Sequence, residues 1–388
     1  MPQEQLDERQ ALEATQWLER FLGPAWIEDG IRVRRERARR YGRWSPPRVH
    51  DNILIDLLAE FRRGVEGPGM VQALFTPTGL RIAGIATNVR HVAVALEAPK
   101  VARLRALLRR GATVDGYLYQ CGVAAHNVRE GYEIRSFSLG EVATTEDVVV
   151  GRERQEIGFQ CKAIRVGTGR RIPNEVFNDL AMRVVNTLDE RLWKGVVRVL
   201  CEPSMPQRDV QMLAAALITR ALAVEPPAAL LGGYTVEVEQ RNANVSWAEV
   251  DSALREDPEH PLRRPHVAVV GNRAEEGVRL LLVATSRRYD KVVGKMLALA
   301  NSAARQLDPS RPGIIAIHTP EPINWDAVAN AGALDRQVTA GFRHFGRTPV
   351  AALAFTSEGE EGNAYVYRNP DTVAPVPKGL RVFGRVLG

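Results

Sequence analysis

The stretch EDVVVGRERQEIGFQCKAI, from Glu146 to Ile164, consists of two apolar runs separated by a short polar segment. Two such runs around a tight polar turn predict a β-hairpin, here with RERQ as the turn. The second run places Lys162 inside an apolar strand, beside a cysteine and a glutamine. A lysine in a strand can lie with its stem along the sheet and its amine in water. The alternative is that Lys162 belongs to an active site.

The predicted hairpin would bring a carboxylate, an amide and an amine together. Asp147 begins the first run, so strand pairing places it near the same end of the ladder as Lys162. Gln160 lies two residues before Lys162 and shares its face, whereas Cys161 points to the opposite face and into the core. A carboxylate and an amide oxygen suit a hard divalent cation, and an ammonium can polarise an attacking water or a scissile phosphate. The pattern therefore indicates a hydrolytic site with Mg²⁺ or Mn²⁺ as cofactor.

The segments around the hairpin alternate between helix and strand patterns. From residue 113 the predicted order is helix, three strands, helix, strand, helix and strand: TVDGYLYQCGVAAHNVREG, YEIRSFSL, EDVVVG, EIGFQCKAI, NEVFNDLAMRVVNTLDERLWKG, VVRVLCE, PQRDVQMLAAALITRALA and GYTVEVEQ. A three-stranded meander that passes into β-α-β units predicts an α/β fold with a mixed central sheet flanked by helices.

This order, with D-V-V-V opening one strand and lysine near the end of IGFQCKAI, resembles the PD-(D/E)xK nuclease superfamily, which has the restriction-endonuclease-like fold. The resemblance covers roughly residues 113–240, with weaker pieces through 375. It implies a metal-dependent nuclease that acts on DNA or RNA phosphodiesters. Asp147 would hold the metal, Gln160 would supply an oxygen ligand or orient water, and Lys162 would steady the phosphorus or the attacking water.

The arginines that follow the hairpin are candidates for contact with nucleic acid. They could meet the phosphate backbone, which carries most of the affinity in such complexes. GTGRR lacks the spacing of a phosphate-binding loop, so a simple turn is the alternative. The residues concerned are Arg165, Arg170 and Arg171.

The chain departs from the superfamily pattern at three positions. Glu146 stands where the family has proline, Gln160 replaces the acid before the lysine, and Gln120 lies about where a helical glutamate is expected. Asp147 is then the one acid clearly retained, and a single carboxylate holds Mg²⁺ poorly unless the substrate phosphate adds ligands. The acids that could substitute are Glu133, Glu146 and Glu156.

Three functions remain open at this level. The first is a nuclease, with full, weakened or lost activity. The second is a non-catalytic nucleic-acid-binding or assembly subunit that keeps the nuclease fold. The third is a protein that senses a nucleotide or other small ligand, against which the missing dinucleotide and phosphate-loop motifs weigh.

The N-terminal 112 residues are expected to be mostly helical. ALEATQWLERFLG has apolar residues at helical spacing, and residues 46–112 are expected to mix short helices with strands. RVRRERARRYGR carries seven arginines in twelve positions, which is typical either of a solvated helix face or of a phosphate-contacting face. The candidates for nucleic-acid contact in this run are Arg35, Arg37, Arg39 and Arg40.

The expected domains are 1–112, a nuclease-like core at 113–240, and an α/β extension at 241–388 that could be a degenerate repeat of the core. When Gly151 is set against Gly271, Glu156 aligns with Glu276, and the strand VVRVL lies near IIAIH with almost the same shift. The positions that match Gln160 and Lys162 are then leucines, so a second copy would be chemically silent. A chance recurrence of a common hairpin–helix–strand string is the alternative.

Composition limits the class of protein. The 388 residues are 45% hydrophobic, and a net charge of +6 with a pI of about 9.4 fits a polyanionic partner such as nucleic acid. Three well-separated cysteines argue against a disulfide scaffold and a cysteine zinc site, and no histidine pair has metal-ligand spacing. A charged N-terminus and short apolar windows predict a cytoplasmic protein with no membrane partner. A homodimer or larger assembly is possible.

Overall fold

The computed structural model describes the following residues: 7–41, 52–67, 69–140, 146–164, 168–202, 204–223, 228–254, 262–263, 265–271, 277–320, 323–330, 334, 336–340, 349–358, 364–372, 381–382 and 385–386. They divide into two compact units. The first unit comprises Met1–Glu36, Pro47–Arg165 and Met296–Gly388, and the second comprises Arg37–Pro46 and Val166–Lys295.

The described helices are α1 Glu8–Leu22, α2 Pro24–Tyr41, α3 Ile53–Glu66, α4 Met70–Leu74, α5 Pro77–Ala95, α6 Ala98–Leu108, α7 Val114–Arg129, α8 Asn174–Glu190, α9 Val210–Ala223, α10 Trp247–Leu254, α11 Val292–Ala304 and α12 Trp325–Asn330. The described strands are β1 Glu133–Phe137, β2 Val148–Arg152, β3 Gln155–Ala163, β4 Gly195–Cys201, β5 Ala228–Leu231, β6 Tyr234–Gln240, β7 His266–Val270, β8 Leu280–Ser286, β9 Gly313–Thr319, β10 Val350–Ser357, β11 Ala364–Arg368, β12 Arg381–Val382 and β13 Arg385–Val386.

The described N-terminal region is helical, as predicted, but the strands expected within residues 46–112 are absent from its described part. Gly79 and Gly84, which interrupt the apolar runs of GLRIAGIATNVRHVAVALE, lie inside α5. This helix begins with Pro77, and the hydroxyl of Thr76 accepts the N–H of Gly79 as a helix cap. A methyl group at Gly79 would clash with the backbone of Leu74, so the glycine allows α4 and α5 to pack closely.

The first unit contains a six-stranded mixed sheet with the strand order β1-β2-β3-β9-β10-β11. Strands β1, β2 and β3 form the predicted antiparallel meander, and the β2–β3 turn lies at Glu153 and Arg154. Strand β9 runs parallel to β3, β10 runs parallel to β9, and β11 is antiparallel to β10.

One face of this sheet forms the core of the first unit. Phe159 and Cys161 of β3 lie on that face with Val148 and Val150 of β2, and each is at most 4% exposed. They pack with buried residues of α1, α3, α5 and α7. Burial of one such apolar side chain contributes roughly 1.5–3 kcal/mol. Because neighbouring residues of a strand alternate between faces, Gln160 lies on the opposite face.

The second unit contains a five-stranded sheet with the strand order β5-β6-β4-β8-β7. Strands β4 and β8 are parallel, and the other pairs are antiparallel. Leu280 and Leu282 of β8 pack into a core with α8 and α9, whereas Leu281 and Val283 pack on the other face with Val250 of α10. Both faces of this sheet are therefore covered by apolar side chains.

The predicted α/β class with mixed sheets and helices is confirmed, but the strands are distributed differently from the prediction. Strands β4 and β6 were expected beside the hairpin in one core, and they belong instead to the sheet of the second unit. The parallel neighbour of β3 is β9. Both β4 and β9 are apolar strands that follow a helix, so hydrophobic pattern alone cannot decide which of them pairs with β3.

None of the helices in the described part of the chain combines the length and the apolar character needed to cross a bilayer. All three cysteines are buried and free.

Candidate active site

The candidate site lies where β2 begins and β3 continues past it. The β2–β3 ladder stops at the pair Val148 and Phe159, whereas β3 extends to Ala163. Asp147 lies at this fork. Its N–H donates to the carbonyl of Phe159 at 2.9 Å, and its carboxylate Oδ2 accepts the N–H of Cys161 at 2.8 Å. The side chain of Asp147 thus accepts the backbone N–H of Cys161, which β2 does not reach in the ladder.

Asp147, Gln160 and Lys162 come together at this fork, in the arrangement that the sequence predicted. Lys162 Nζ donates to Gln160 Oε1 at 2.9 Å and lies 3.5 Å from Asp147 Oδ2. Cys161 faces the core, as expected from strand alternation. These three polar residues are called the fork cluster below.

Exposure differs within the fork cluster. The side chains of Lys162 and Asp147 are 26% and 18% exposed, whereas Gln160 is 1% exposed. The amine and the carboxylate can therefore meet a ligand from solvent. The amide oxygen of Gln160 lies behind them and holds Lys162, so it is a metal ligand only if Lys162 moves away.

Burial controls the electrostatics of the fork. It raises the pKa of Asp147 above its usual value, while the charge of Lys162 and the N–H of Cys161 act in the opposite direction. Burial also raises the pKa of the Cys161 thiol well above its usual value, and the charge of Asp147 adds to this. The thiol therefore stays protonated, which argues against Cys161 as a nucleophile.

The structure does not bring the substitute acids to the fork. Glu133 and Glu156 both lie opposite Gly151 in their ladders, near the turn end of the hairpin. Glu133 pairs with Arg135, and Glu156 pairs with Arg311.

Glu146 is also engaged elsewhere. It is 4% exposed, and its carboxylate accepts the N–H of Asp308 at 2.9 Å. Gln120, at the position expected for a helical glutamate, is buried on α7. Asp147 is consequently the one acid that the described contacts place in the fork cluster.

A second polar cluster, which sequence reasoning missed, lies at the carboxyl ends of β9 and β10. Thr356 donates its hydroxyl to Tyr119 Oη at 3.0 Å and lies 3.1 Å from His318 Nδ1. The Tyr119 ring stacks on the His318 ring at 4.9 Å. Burial lowers the pKa of His318 to about 3, and the charge of Arg81 adds to this shift. The only sequence signal was polar residues ending two apolar strands.

Two of the three arginines predicted to contact nucleic acid after the hairpin, Arg170 and Arg171, lie in the second unit. Arg170 is 11% exposed, lies 3.7 Å from Asp290 and donates to the carbonyl of Pro265 at 3.2 Å. Arg171 donates its Nε to the carbonyl of Tyr289 at 2.8 Å. Both side chains thus bind neighbouring segments of their own unit. Arg165 lies outside the described residues.

The arginine-rich run lies in α2 as far as Tyr41, the last described residue of this segment. Arg35 and Arg39 are exposed, so they could meet a phosphate backbone. Arg34 pairs with Asp56 at 2.9 Å. The side chains of Arg37 and Arg40 lie outside the described part of the structure.

The fork cluster fits a hard divalent cation in kind but supplies few ligands. Asp147 and Gln160 carry the oxygen atoms that Mg²⁺ prefers, yet octahedral coordination needs further ligands from water, backbone or substrate. Within the described ranges, no group of three or more His, Cys, Asp or Glu side chains is arranged to hold a metal.

Comparisons with known protein families, with curated proteins and with solved structures find no significant match to this chain.

Proposed function

We propose that the first unit is a nuclease-like module that acts on DNA or RNA phosphodiesters with the help of Mg²⁺ or Mn²⁺. The order α7, β1, β2, β3, α11 and β9 supports a restriction-endonuclease-like fold, because it follows the order of the superfamily with residues 164–291 inserted after β3. Strand β9 pairs in parallel with β3, so the strand that follows the inserted segment continues the sheet.

One observation carries the proposal: a lysine amine and a carboxylate, both partly open to solvent, meet 3.5 Å apart at the fork between two strands. Partly buried charged groups cost free energy unless they are well paired. Lys162 would stabilise the negative charge that develops on the phosphate, and Gln160 would position the amine. Asp147 would hold the metal, which supplies Lewis-acid activation of water when bound.

A non-catalytic nucleic-acid-binding or assembly subunit is the second candidate. It is favoured by the single acid in the fork cluster, since Glu133 and Glu156 lie near the other end of the hairpin. A single carboxylate gives weak intrinsic affinity for Mg²⁺. In this alternative the fold is retained for binding.

The experiment is incubation of the purified full chain with plasmid DNA and with RNA, in Mg²⁺, in Mn²⁺ and in EDTA. The nuclease proposal expects cutting that disappears in EDTA and in Lys162→Ala. Lys194→Ala is the matched control, because Lys194 is also partly buried but lies in the second unit. Cutting that survives Lys162→Ala would reject the assigned site.

Binding without cutting in any metal would support the second candidate. Such binding should weaken steeply with salt, because it depends on release of counterions from phosphates. A cytoplasmic location belongs to the proposal, and the three buried free thiols are consistent with it.

A further inference from the structure

A cleft in the first unit lies between α6, the start of α7 and the segment after β1. Its volume is about 360 Å³, near the lower end of the range of about 300–1,000 Å³ that is typical of ligand sites. The described lining residues are Arg103, Ala106, Leu107, Arg110, Thr113, Tyr117, Leu139 and Gly140.

The lining combines an apolar floor with a basic rim. Leu107 and Leu139 are at most 9% exposed, and Tyr117 packs against the same core. Arg103 and Arg110 are exposed at the rim, and no acidic residue is among the described lining residues. Guanidinium groups recognise phosphate, and an aromatic ring beside an apolar surface offers a stacking surface for a base.

One backbone hydrogen bond links the segment that lines the cleft to the fork. Ser138 donates its N–H to the carbonyl of Asp147 at 2.8 Å, and the next residue, Leu139, already lines the cleft. The fork and the cleft are therefore joined through two consecutive residues just after β1.

We infer that this cleft binds one nucleotide of a single-stranded nucleic acid, with its phosphate between Arg103 and Arg110 and its base against Tyr117. This inference rests on the proposed nucleic-acid substrate of the fork cluster and specifies that this substrate is single-stranded. A base can enter such a cleft only when it is unstacked from its neighbours, which favours single strands over duplexes.

The test measures binding in EDTA, so that it does not depend on cleavage. A fluorescent twelve-nucleotide oligo-dT is titrated with the full chain at several salt concentrations, and unlabelled dTMP, inorganic phosphate and a duplex serve as competitors. The double variant Arg103→Gln, Arg110→Gln should lower the magnitude of the slope of log affinity against log salt by about 0.7, since each neutralised phosphate of a single strand adds about 0.7.

The aromatic contact has its own variants. Tyr117→Ala should weaken oligo-dT binding about tenfold, whereas Tyr117→Phe should bind nearly as the unchanged protein does. Arg90→Gln, an exposed arginine of α5 outside the cleft, is the control for loss of charge. Thermal melting of each variant confirms that the chain remains folded.

The outcomes separate this inference from the nuclease proposal. Oligo-dT binding that depends on the two arginines and Tyr117, with no cutting in Mn²⁺, would keep the cleft and reject the catalytic proposal. If the chain cuts in Mn²⁺ and the cleft variants bind oligo-dT as tightly as the unchanged protein, the cleft assignment is rejected and the nuclease proposal stands. Equal affinity for dTMP and oligo-dT, or preference for the duplex, would also overturn the single-strand assignment.

Discussion

The β2–β3 hairpin with β9 and the β7–β8 hairpin with β4 are two versions of one arrangement. In each, an antiparallel hairpin is extended by a parallel strand on its second member. The registers also correspond. Gln160 pairs with Ile315, and Leu280 pairs with Gly195, so the two pairs are related by a shift of 120 residues, forward in one strand and backward in the other.

This relation bears on the predicted duplication. The hairpin of the proposed first copy pairs with the strand of the second copy, and the hairpin of the second copy pairs with the strand of the first. Two copies that exchanged their final strands would produce this pattern. The duplication remains a prediction, to which the structure adds a shared register.

The two hairpins differ where the chemistry is expected. Strand β7 pairs with β8 up to the pair His266 and Ala284, whereas the pairing of β2 with β3 stops at the pair Val148 and Phe159. Leu280 and Leu282, at the positions of Gln160 and Lys162, are fully buried in an apolar core. The ladder therefore forms without polar residues at these positions. The polar residues of the fork cluster are not required by the strand arrangement, which supports a functional reason for them.

The largest effect is expected when a lysine is introduced into the β7–β8 hairpin at Leu282, the position that matches Lys162. Leu282→Lys removes a fully buried apolar side chain and introduces a charge into the core, so we expect a loss of about 5 kcal/mol in the free energy of unfolding. Urea denaturation followed by circular dichroism measures this change. Leu282→Met is the control and should cost less than about 1.5 kcal/mol. A Leu282→Lys protein as stable as the unchanged chain would contradict the comparison.

A smaller effect is expected when the charged pair of the fork cluster is broken. Lys162→Met leaves Asp147 partly buried without its ammonium partner and should cost about 2 kcal/mol. The double variant Asp147→Asn, Lys162→Met removes both charges while the new amide can still accept the N–H of Cys161, so its stability should return to that of the unchanged chain or exceed it. The measurement is a double-mutant cycle in urea. Additive losses in the double variant would show that the two charges do not interact, which would contradict their pairing in the fork cluster.

Gln160→Glu tests whether the missing acid limits metal binding. A second carboxylate beside Asp147 should raise Mn²⁺ affinity on the order of tenfold, because ligand charge controls the affinity of such sites. Isothermal titration calorimetry measures it. Gln160→Leu copies the residue of the second hairpin and serves as the control, with no gain expected. Equal Mn²⁺ affinity in the two variants would remove Gln160 from the metal site.

The effect that is smallest at pH 7 concerns the acid side of the stability profile. The pKa of His318 is lowered to about 3 by burial, so the unfolded chain binds a proton at this residue between about pH 3 and 6.5 and the folded chain does not. Stability from this residue is therefore complete above pH 6.5 and falls as the pH drops towards 3. His318→Gln should show a shallower loss of melting temperature from pH 7 to pH 4. His91→Gln, at an exposed histidine of α5, should leave the slope unchanged.

Local features of the fold could be predicted from the sequence, and long-range pairing could not. Two apolar runs around a polar turn predicted the hairpin, and the two-residue spacing predicted the common face of Gln160 and Lys162. Nothing in those runs distinguished β9 from β4 as the neighbour of β3, because both are short apolar strands after a helix. Helix α5 was misread because glycine usually weakens a helix, while Gly79 is favoured here by close packing against Leu74.

The candidate site was predictable only as a set of residues. Strand parity placed the fork cluster together, but it could not show that Gln160 is buried and already holds Lys162. It also could not show that Arg170 is engaged within its own unit, because side-chain partners depend on tertiary contacts. His318 gave no local signal, since its partners Thr356 and Tyr119 are distant in sequence.

The pairing of β3 with β9 has a consequence for synthesis of the chain. The ribosome completes every residue of the second unit, through Lys295, before it makes Gly313, the first residue of β9. One edge of the nascent β3 therefore stays unpaired until its partner, about 150 residues downstream, has been made. Pairing across such separations is slow and exposes strands to aggregation. We expect the inserted unit to be able to fold before the sheet of the first unit, whose strands precede and follow it in sequence, is complete.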